Sequence, residues 1–225
     1  MVAKHTLHEF AASNGFRVPR SVMLNSLDDI DKVEDSMEYP VFVKGAFYGA
    51  EKAVNKGQII GSFHTLSAKW GLPVIVQESI EGMEIDISGL GDGKGTMVGA
   101  VPMRKLFITD RGKGWSGVVL EDEQLIEITR RYVEATSWRG GFELEFMRNK
   151  NDELYLLEVN PRFPAWVYTT VGAGQNLPAT LVKLGLGWKV EPFESYHPGT
   201  MFVRYTWEVV TNIAEFQQLS TSGEL

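Results

Sequence analysis

The sequence predicts an α+β chain whose strands pair antiparallel through short turns, and three observations carry that expectation. Residues 83–90, MEIDISGL, alternate Met83, Ile85 and Ile87 with Glu84, Asp86 and Ser88, turn through GDGKG and return as TMVGAVPMRKL; period-two alternation across a glycine turn is a hairpin pattern. Residues 140–158, GGFELEFMRNKNDELYLLE, set Phe142, Leu144 and Phe146 against Glu143 and Glu145, then pass a polar turn into a second strand. Residues 58–70 and 122–135 instead space their apolar side chains at helical intervals.

The remaining elements follow in order. Leu7, Phe10 and Ala11 recur at helical spacing between Lys4 and Asn14, and Asn14-Gly15 supplies a stop. FRVPRSVML reads as extended, and residues 28–37 as a short acidic helix. YPVFVKGAFYGAEKAV reads as strand, small-residue loop and strand, with Lys44 at the loop's entrance. Ile59, Ile60, Phe63, Leu66 and Trp70 mark the next helix, and LPVIVQES a buried strand. Residues 107–117, FITDRGKGWSG, are expected to be a mobile glycine-rich loop carrying Arg111 and Lys113. Asp122 is placed to cap a helix that buries Leu125, Ile128, Tyr132 and Val133. Pro178 opens a helix through Leu184 that Gly185 ends, and the tail holds a strand in TMFVRYTWEVV and a short helix from Ile213.

Composition narrows the function classes. The 225 residues are 44% hydrophobic and 23% charged, enough for a substantial core in one large domain or two joined lobes. A net charge of −7 with no basic stripe argues against a nucleic-acid partner. The chain has no cysteine, which excludes disulfides and thiolate nucleophiles. No segment approaches 18 uninterrupted apolar residues and no signal-peptide core is visible, so the expectation is a cytoplasmic protein without membrane contact. His5, His8, His64 and His197 have no acidic partners nearby in sequence, and a surface pair explains His5 and His8 better than a metal site.

The chemistry concentrates in LYLLEVNPRF, residues 154–163. Alternation puts Tyr155, Leu157 and Val159 on one face and Leu154, Leu156, Glu158 and Asn160 on the other. A turn centred between Lys150 and Asn151 sets Glu143 opposite Glu158, with Glu145 diagonal on the same face, about 7–8 Å away. A strand end meeting water is the plainer explanation of one glutamate. Like charges facing across a ladder are destabilising, however, so converging carboxylates call for a cation, and Mg²⁺ accepts carboxylate, amide and phosphate oxygens. Glu145, Glu158 and the amide oxygen of Asn160 supply such a set.

Taken together, these segments resemble the ATP-grasp superfamily, from about Lys4 to Gly187. The resemblance implies two α+β lobes with antiparallel sheets gripping a nucleotide: residues 1–187 as the ATP-grasp region, its smaller lobe about 22–78, and 188–225 as an extension packed on the large lobe. YPVFVKG is similar to the strand whose terminal lysine contacts nucleotide phosphates, giving that role to Lys44, with Lys4 also assigned to the nucleotide. VIVQESIEGMEIDIS resembles the linker between lobes, which places Gln77 and Glu78 toward adenine, backbone groups near Ile80 at its edge and Glu84 on the ribose. LEFM and LEVNPR match the metal-binding segments, implying Mg²⁺ or Mn²⁺ on Glu145, Glu158 and Asn160, with Arg162 on a phosphate or substrate carboxylate. Arg104 is a further candidate for such an anion.

The implied activity is ATP-dependent ligation, in which a carboxylate becomes an acyl phosphate that an amine attacks, releasing ADP and phosphate. Small-molecule carboxylate and amine substrates are the implied partners, and a homo-oligomer is compatible. A bicarbonate-activating carboxylase or carbamoyl phosphate synthase component, and a non-catalytic nucleotide-binding module, are the alternatives. Relatives carry a domain of roughly a hundred residues ahead of the position of Lys4. The chain is therefore expected to be a fragment, a subunit working with a separately encoded domain, or a minimal form. The loop GAFYGAEKAV has one internal glycine, so its backbone is expected to cradle phosphates less fully, with loop 107–117 sharing the closing role.

Overall fold

The structure is a computed structural model that describes residues 7, 10, 11, 13–108, 114–208, 210, 212–214, 217 and 221. In chain order the elements are β1 (Ser21–Leu24), a 3-10 turn (Leu27–Ile30), α1 (Asp31–Glu34), β2 (Val41–Lys44), β3 (Ala50–Ala53), α2 (Lys56–Trp70), β4 (Val74–Glu78), β5 (Gly82–Asp92), β6 (Met97–Ile108), β7 (Gly114–Val119), α3 (Glu123–Thr136), β8 (Arg139–Asn149), β9 (Leu154–Asn160), α4 (Tyr168–Gly172), α5 (Leu177–Gly185) and β10 (Met201–Val203). They build a four-stranded sheet, ordered β1-β4-β2-β3, and a six-stranded sheet, ordered β10-β7-β6-β5-β8-β9. Every strand pair is antiparallel.

In the smaller sheet Val41, Val43, Val74 and Val76 point into a core closed by Ile59, Phe63 and Leu66 of α2. Asn55 caps that helix, its side chain accepting from the Gln58 amide at 3.0 Å. Strand alternation then leaves Phe42, Lys44, Ile75 and Gln77 on the opposite face. The β2–β3 loop is folded tightly: the Gly45 amide donates to the Gly49 carbonyl at 3.2 Å, and the Tyr48 ring lies 5.3 Å from that of Trp70. Gly45 is required there, since a Cβ would sit 2.4 Å from the Tyr48 carbonyl oxygen.

The larger sheet buries Ile85, Ile87, Phe142, Leu144, Phe146, Leu154, Leu156 and Val159 on one face, against Leu125, Tyr132 and Val133 of α3 and Leu7, Ala11 and Phe16 of the amino-terminal segment. Each large side chain so buried contributes about 1.5–3 kcal/mol. At one end of the opposite face, Leu90 and Val98 pack under Leu177, Leu181 and Leu184 of α5 and under Phe163, Val190 and Phe193. The middle of that face is left for polar groups.

Two expectations need correction. The β8–β9 register is Glu145 opposite Glu158 and Glu143 opposite Asn160, because the turn is centred on Asn151 and a bulge between Glu145 and Phe146 leaves β9 one residue longer there. That extra residue, Leu157, reverses the alternation: Leu154 and Leu156 share the core face with Val159, while Glu158 and Asn160 occupy the other. Residues 107–117 are not one loop either, since β6 runs to Ile108 and β7 begins at Gly114; Arg111 and Lys113 lie outside the described residues.

Candidate active site

The polar face of the larger sheet is assembled from four strands. Register places Asp86 of β5 opposite Glu145 of β8, and Glu145 opposite Glu158 of β9, so three carboxylates form one cross-strand row. Beside it, Ser88 faces Glu143, and Glu143 faces Asn160. Carboxylate oxygens of Glu84, Asp86 and Glu145 all lie within 4.8 Å of one another.

Two cations and several donors hold this excess of negative charge. Lys105 Nζ is 3.0 Å from Asp86 Oδ2 and pairs more closely with Glu84. The Arg162 guanidinium donates to Glu143. Asn160 Nδ2 donates to Glu145 Oε1 at 2.9 Å and Glu143 Oε2 at 3.2 Å, and Trp166 Nε1 donates to Glu143 Oε1 at 3.2 Å. Glu143 is thus occupied by three side chains of the 160–166 segment.

Burial pushes the Asp86 carboxyl well above the usual carboxylate range; Lys105 opposes the shift, and Glu143 and Glu84 add to it. Glu145 is likewise raised, chiefly by burial, then by the Asp86, Glu158 and Glu143 charges. Lys105 is held charged: burial works against its ammonium, but Asp86 and Glu84 outweigh it. The folded chain therefore binds protons on Asp86 and Glu145 more tightly than the unfolded chain does. That contribution to stability is full at acid pH and is lost as pH climbs from the ordinary carboxylate range toward neutrality. In metal-free buffer the melting temperature is expected to fall from about pH 5 to about pH 8, and Glu145→Gln to flatten the fall. A melting temperature that rises over that interval in the wild type contradicts the assignment.

A divalent cation fits this donor set. Asp86 Oδ1 is buried without a hydrogen-bond partner, an orphaned hard oxygen at the centre of the cluster. Asn160 directs its amide N–H groups to carboxylates, which leaves its carbonyl oxygen for another donor or a metal.

The nucleotide candidates are placed unevenly. Lys44 Nζ donates to Gln77 Oε1 at 2.6 Å, and Gln77 Nε2 donates to Ser21 Oγ at 3.1 Å, on the face of the smaller sheet away from α2. Glu78, expected with Gln77 toward adenine, faces the other way, since successive strand residues alternate. Glu78 instead accepts from the Arg20 amide at 2.8 Å and Arg20 Nε at 2.9 Å, and lines a cavity of about 580 Å³ with Asp35 and Tyr39. Ile80 sits half-buried in the segment joining β4 to β5. Glu84, expected at the ribose, pairs with Lys105. Arg104, expected to bind an anion, registers with Ile85 and so projects toward the α3 face, away from the carboxylates; its neighbour Lys105 is the cation at the site. Lys4 lies outside the described residues.

Sequence reasoning missed Asp86, Lys105 and Trp166. Asp86 shares a face with Glu84 in MEIDISGL, and that was the available signal.

Comparisons with known proteins identify the family. Residues 72–207 match the family described as ATP-grasp in the biosynthetic pathway with Ter operon. A D-alanine–D-alanine ligase of Bacillus cytotoxicus is 28% identical over 152 residues, covering 60% of this chain and 42% of the ligase. The carbamoyl phosphate synthase large chain of Micrococcus luteus is 26% identical over 188 residues, covering 77% of this chain and 17% of that one. Among solved structures, a biotin carboxylase complex from Campylobacter jejuni superposes with a TM-score of 0.77 at 18% identity, over 89% of this chain and 49% of that one. The chain spans half or less of the length of these relatives. The family match covers more than half of the chain, and the fold superposes on that of the biotin carboxylase: the chain belongs to the ATP-grasp family.

Proposed function

We propose that this chain is the nucleotide-binding catalytic unit of an ATP-dependent ligase that activates a carboxylate as an acyl phosphate for attack by an amine, with release of ADP and phosphate. The row Asp86–Glu145–Glu158, flanked by Lys105 and Arg162, carries the reading, because buried and half-buried carboxylates crowded on one sheet face call for cations, and the cations in turn draw phosphates. Glu145, Glu158 and Asn160, joined by Asp86, would hold Mg²⁺ or Mn²⁺. The bound ion would neutralise charge on the β- and γ-phosphates. Lys44 and Lys105 would draw the phosphates from the two sheets, Gln77 and backbone near Ile80 would receive the adenine, and Arg162 would orient the substrate carboxylate.

Catalysis on this reading is positioning and charge stabilisation, with no protein nucleophile. The γ-phosphoryl group passes to the carboxylate; the amine then forms a C–N bond at the acyl carbon as the C–O bond to phosphate breaks. Phosphate leaves with the electron pair, and the amine loses a proton. The greater length of the relatives supports a further domain or partner subunit contributing to the substrate site.

The test is ADP release from MgATP across paired carboxylate and amine panels, with bicarbonate in a parallel series. Release that needs both a carboxylate and an amine supports the ligase. Release that follows bicarbonate alone selects the carboxylase-like reading, which the 77% coverage by a carbamoyl phosphate synthase chain favours. MgATP binding without turnover in any series refutes both in favour of a binding module.

A further inference from the structure

A second cavity, of about 390 Å³, lies toward the β7–β10 edge of the larger sheet, and the roles assigned above leave it unused. Its inner wall is Trp166, only 6% exposed, whose indole N–H is held by Glu143, the same carboxylate that grips Arg162. Cavity and carboxylates share a sheet face. Phe202 of β10 registers with Gly117 of β7, and Gly117 with Lys105 of β6, so Phe202 and Lys105 point the same way with a bare glycine between them. A Cβ on Gly117 would come within 2.2 Å of Met103 Sδ, so the buried Met103 side chain fills the space beside that glycine.

The lining combines apolar surface with one available charge. Tyr168, Val171, Met201 and Phe202 supply the apolar part. Arg204 also lines the cavity, half-buried, with its guanidinium carbon 6.0 Å from the centre of the Phe202 ring. It forms no ion pair among the described residues. A guanidinium against aromatic surface, without an acidic partner, favours a planar oxyanion that it can grip with two hydrogen bonds. A volume of about 390 Å³ is within the range of small-molecule sites.

We propose that this cavity is the subsite for an amino-acid substrate, its apolar or aromatic side chain lying against Trp166 and Phe202 and its carboxylate on Arg204. The proposal rests on the ligase reading and deepens it by naming a substrate class. Both halves of the ligand are needed: without a carboxylate Arg204 stays unpaired, and without an apolar body the cavity walls stay wet.

The test titrates L-phenylalanine, L-leucine, glycine and phenethylamine into the full chain by calorimetry, without nucleotide and again with a non-hydrolysable MgATP analogue. The same titrations are run on Arg204→Met and on Val171→Phe, which fills the cavity from its wall. L-phenylalanine or L-leucine is expected to bind the wild type, and both variants are expected to weaken that binding about tenfold or more, the loss of a charge-assisted contact or of the space. Glycine and phenethylamine are expected to bind at least about tenfold more weakly than L-phenylalanine. Undiminished binding to Arg204→Met, equal binding of phenethylamine, or no binding of either apolar amino acid overturns the proposal. Failure of the analogue to bind the wild type would instead count against the ligase reading, while the nucleotide-free titrations still decide the cavity.

Discussion

Glu145→Gln combined with Glu158→Gln is expected to melt about 3–6 °C higher than the wild type in metal-free buffer near pH 8, yet to lose Mg²⁺-dependent ATP binding by about 100-fold or more. Both effects come from the same row. Glu145 faces Asp86 on one side and Glu158 on the other, and each like-charge pair across a ladder costs about 0.2–1 kcal/mol. Glutamine keeps the shape and removes the charge, so the fold gains what the site loses. Thermal denaturation with a chelator present, followed by titration of ATP with and without Mg²⁺, measures the two arms. Unchanged magnesium dependence in the double variant places the metal elsewhere, and a lower melting temperature shows that the row is not held against repulsion.

This opposition between stability and function explains which parts of the molecule were legible. Hairpin MEIDISGL–TMVGAVPMRKL and helix 56–70 read directly, because their apolar periods match the elements they form and the core agrees. The second hairpin read correctly in kind but not in register. Its turn is organised by the Asn149 side chain, which accepts from the Asn151 and Glu153 amides at 2.9 and 3.0 Å, and Asp152 adopts a positive φ of 64°. Leu157 then adds the bulge. The leucine doublet in LYLLEV is the trace of that bulge, two apolar residues in succession where strict alternation allows one. Asp86 was legible only in part: its shared face with Glu84 shows in MEIDISGL, but its place beside Glu145 depends on pairing β5 with β8, and no local pattern encodes a contact between strands that far apart in sequence. Arg104 and Lys105 differ by one position, and strand parity decides which one reaches the carboxylates; the register of the long β6 strand settles it for Lys105.

Lys105→Met should then be among the most destabilising single changes at this site, costing about 1–3 kcal/mol near pH 8 without metal. Its side chain is 11% exposed and that of Asp86 is 2% exposed, so the pair is shielded from water and salt. Removing the ammonium leaves Asp86 buried among Glu84, Glu143 and Glu145, without the cation it pairs with among the described residues. The loss depends on the charge of Asp86, whose carboxyl is already raised by burial and rises further without Lys105. A raised carboxyl contributes stability at acid pH and loses it as pH increases, so most of the deficit should vanish near pH 5, where Asp86 takes up a proton. Urea denaturation at the two pH values gives the difference directly. Adding Asp86→Asn to Lys105→Met should recover about 2 kcal/mol near pH 8, because an uncharged amide no longer needs the cation. A deficit equal at both pH values, or one that Asp86→Asn leaves in place, would mean that Lys105 acts through packing of its methylene stem and that the carboxylates are compensated by other groups.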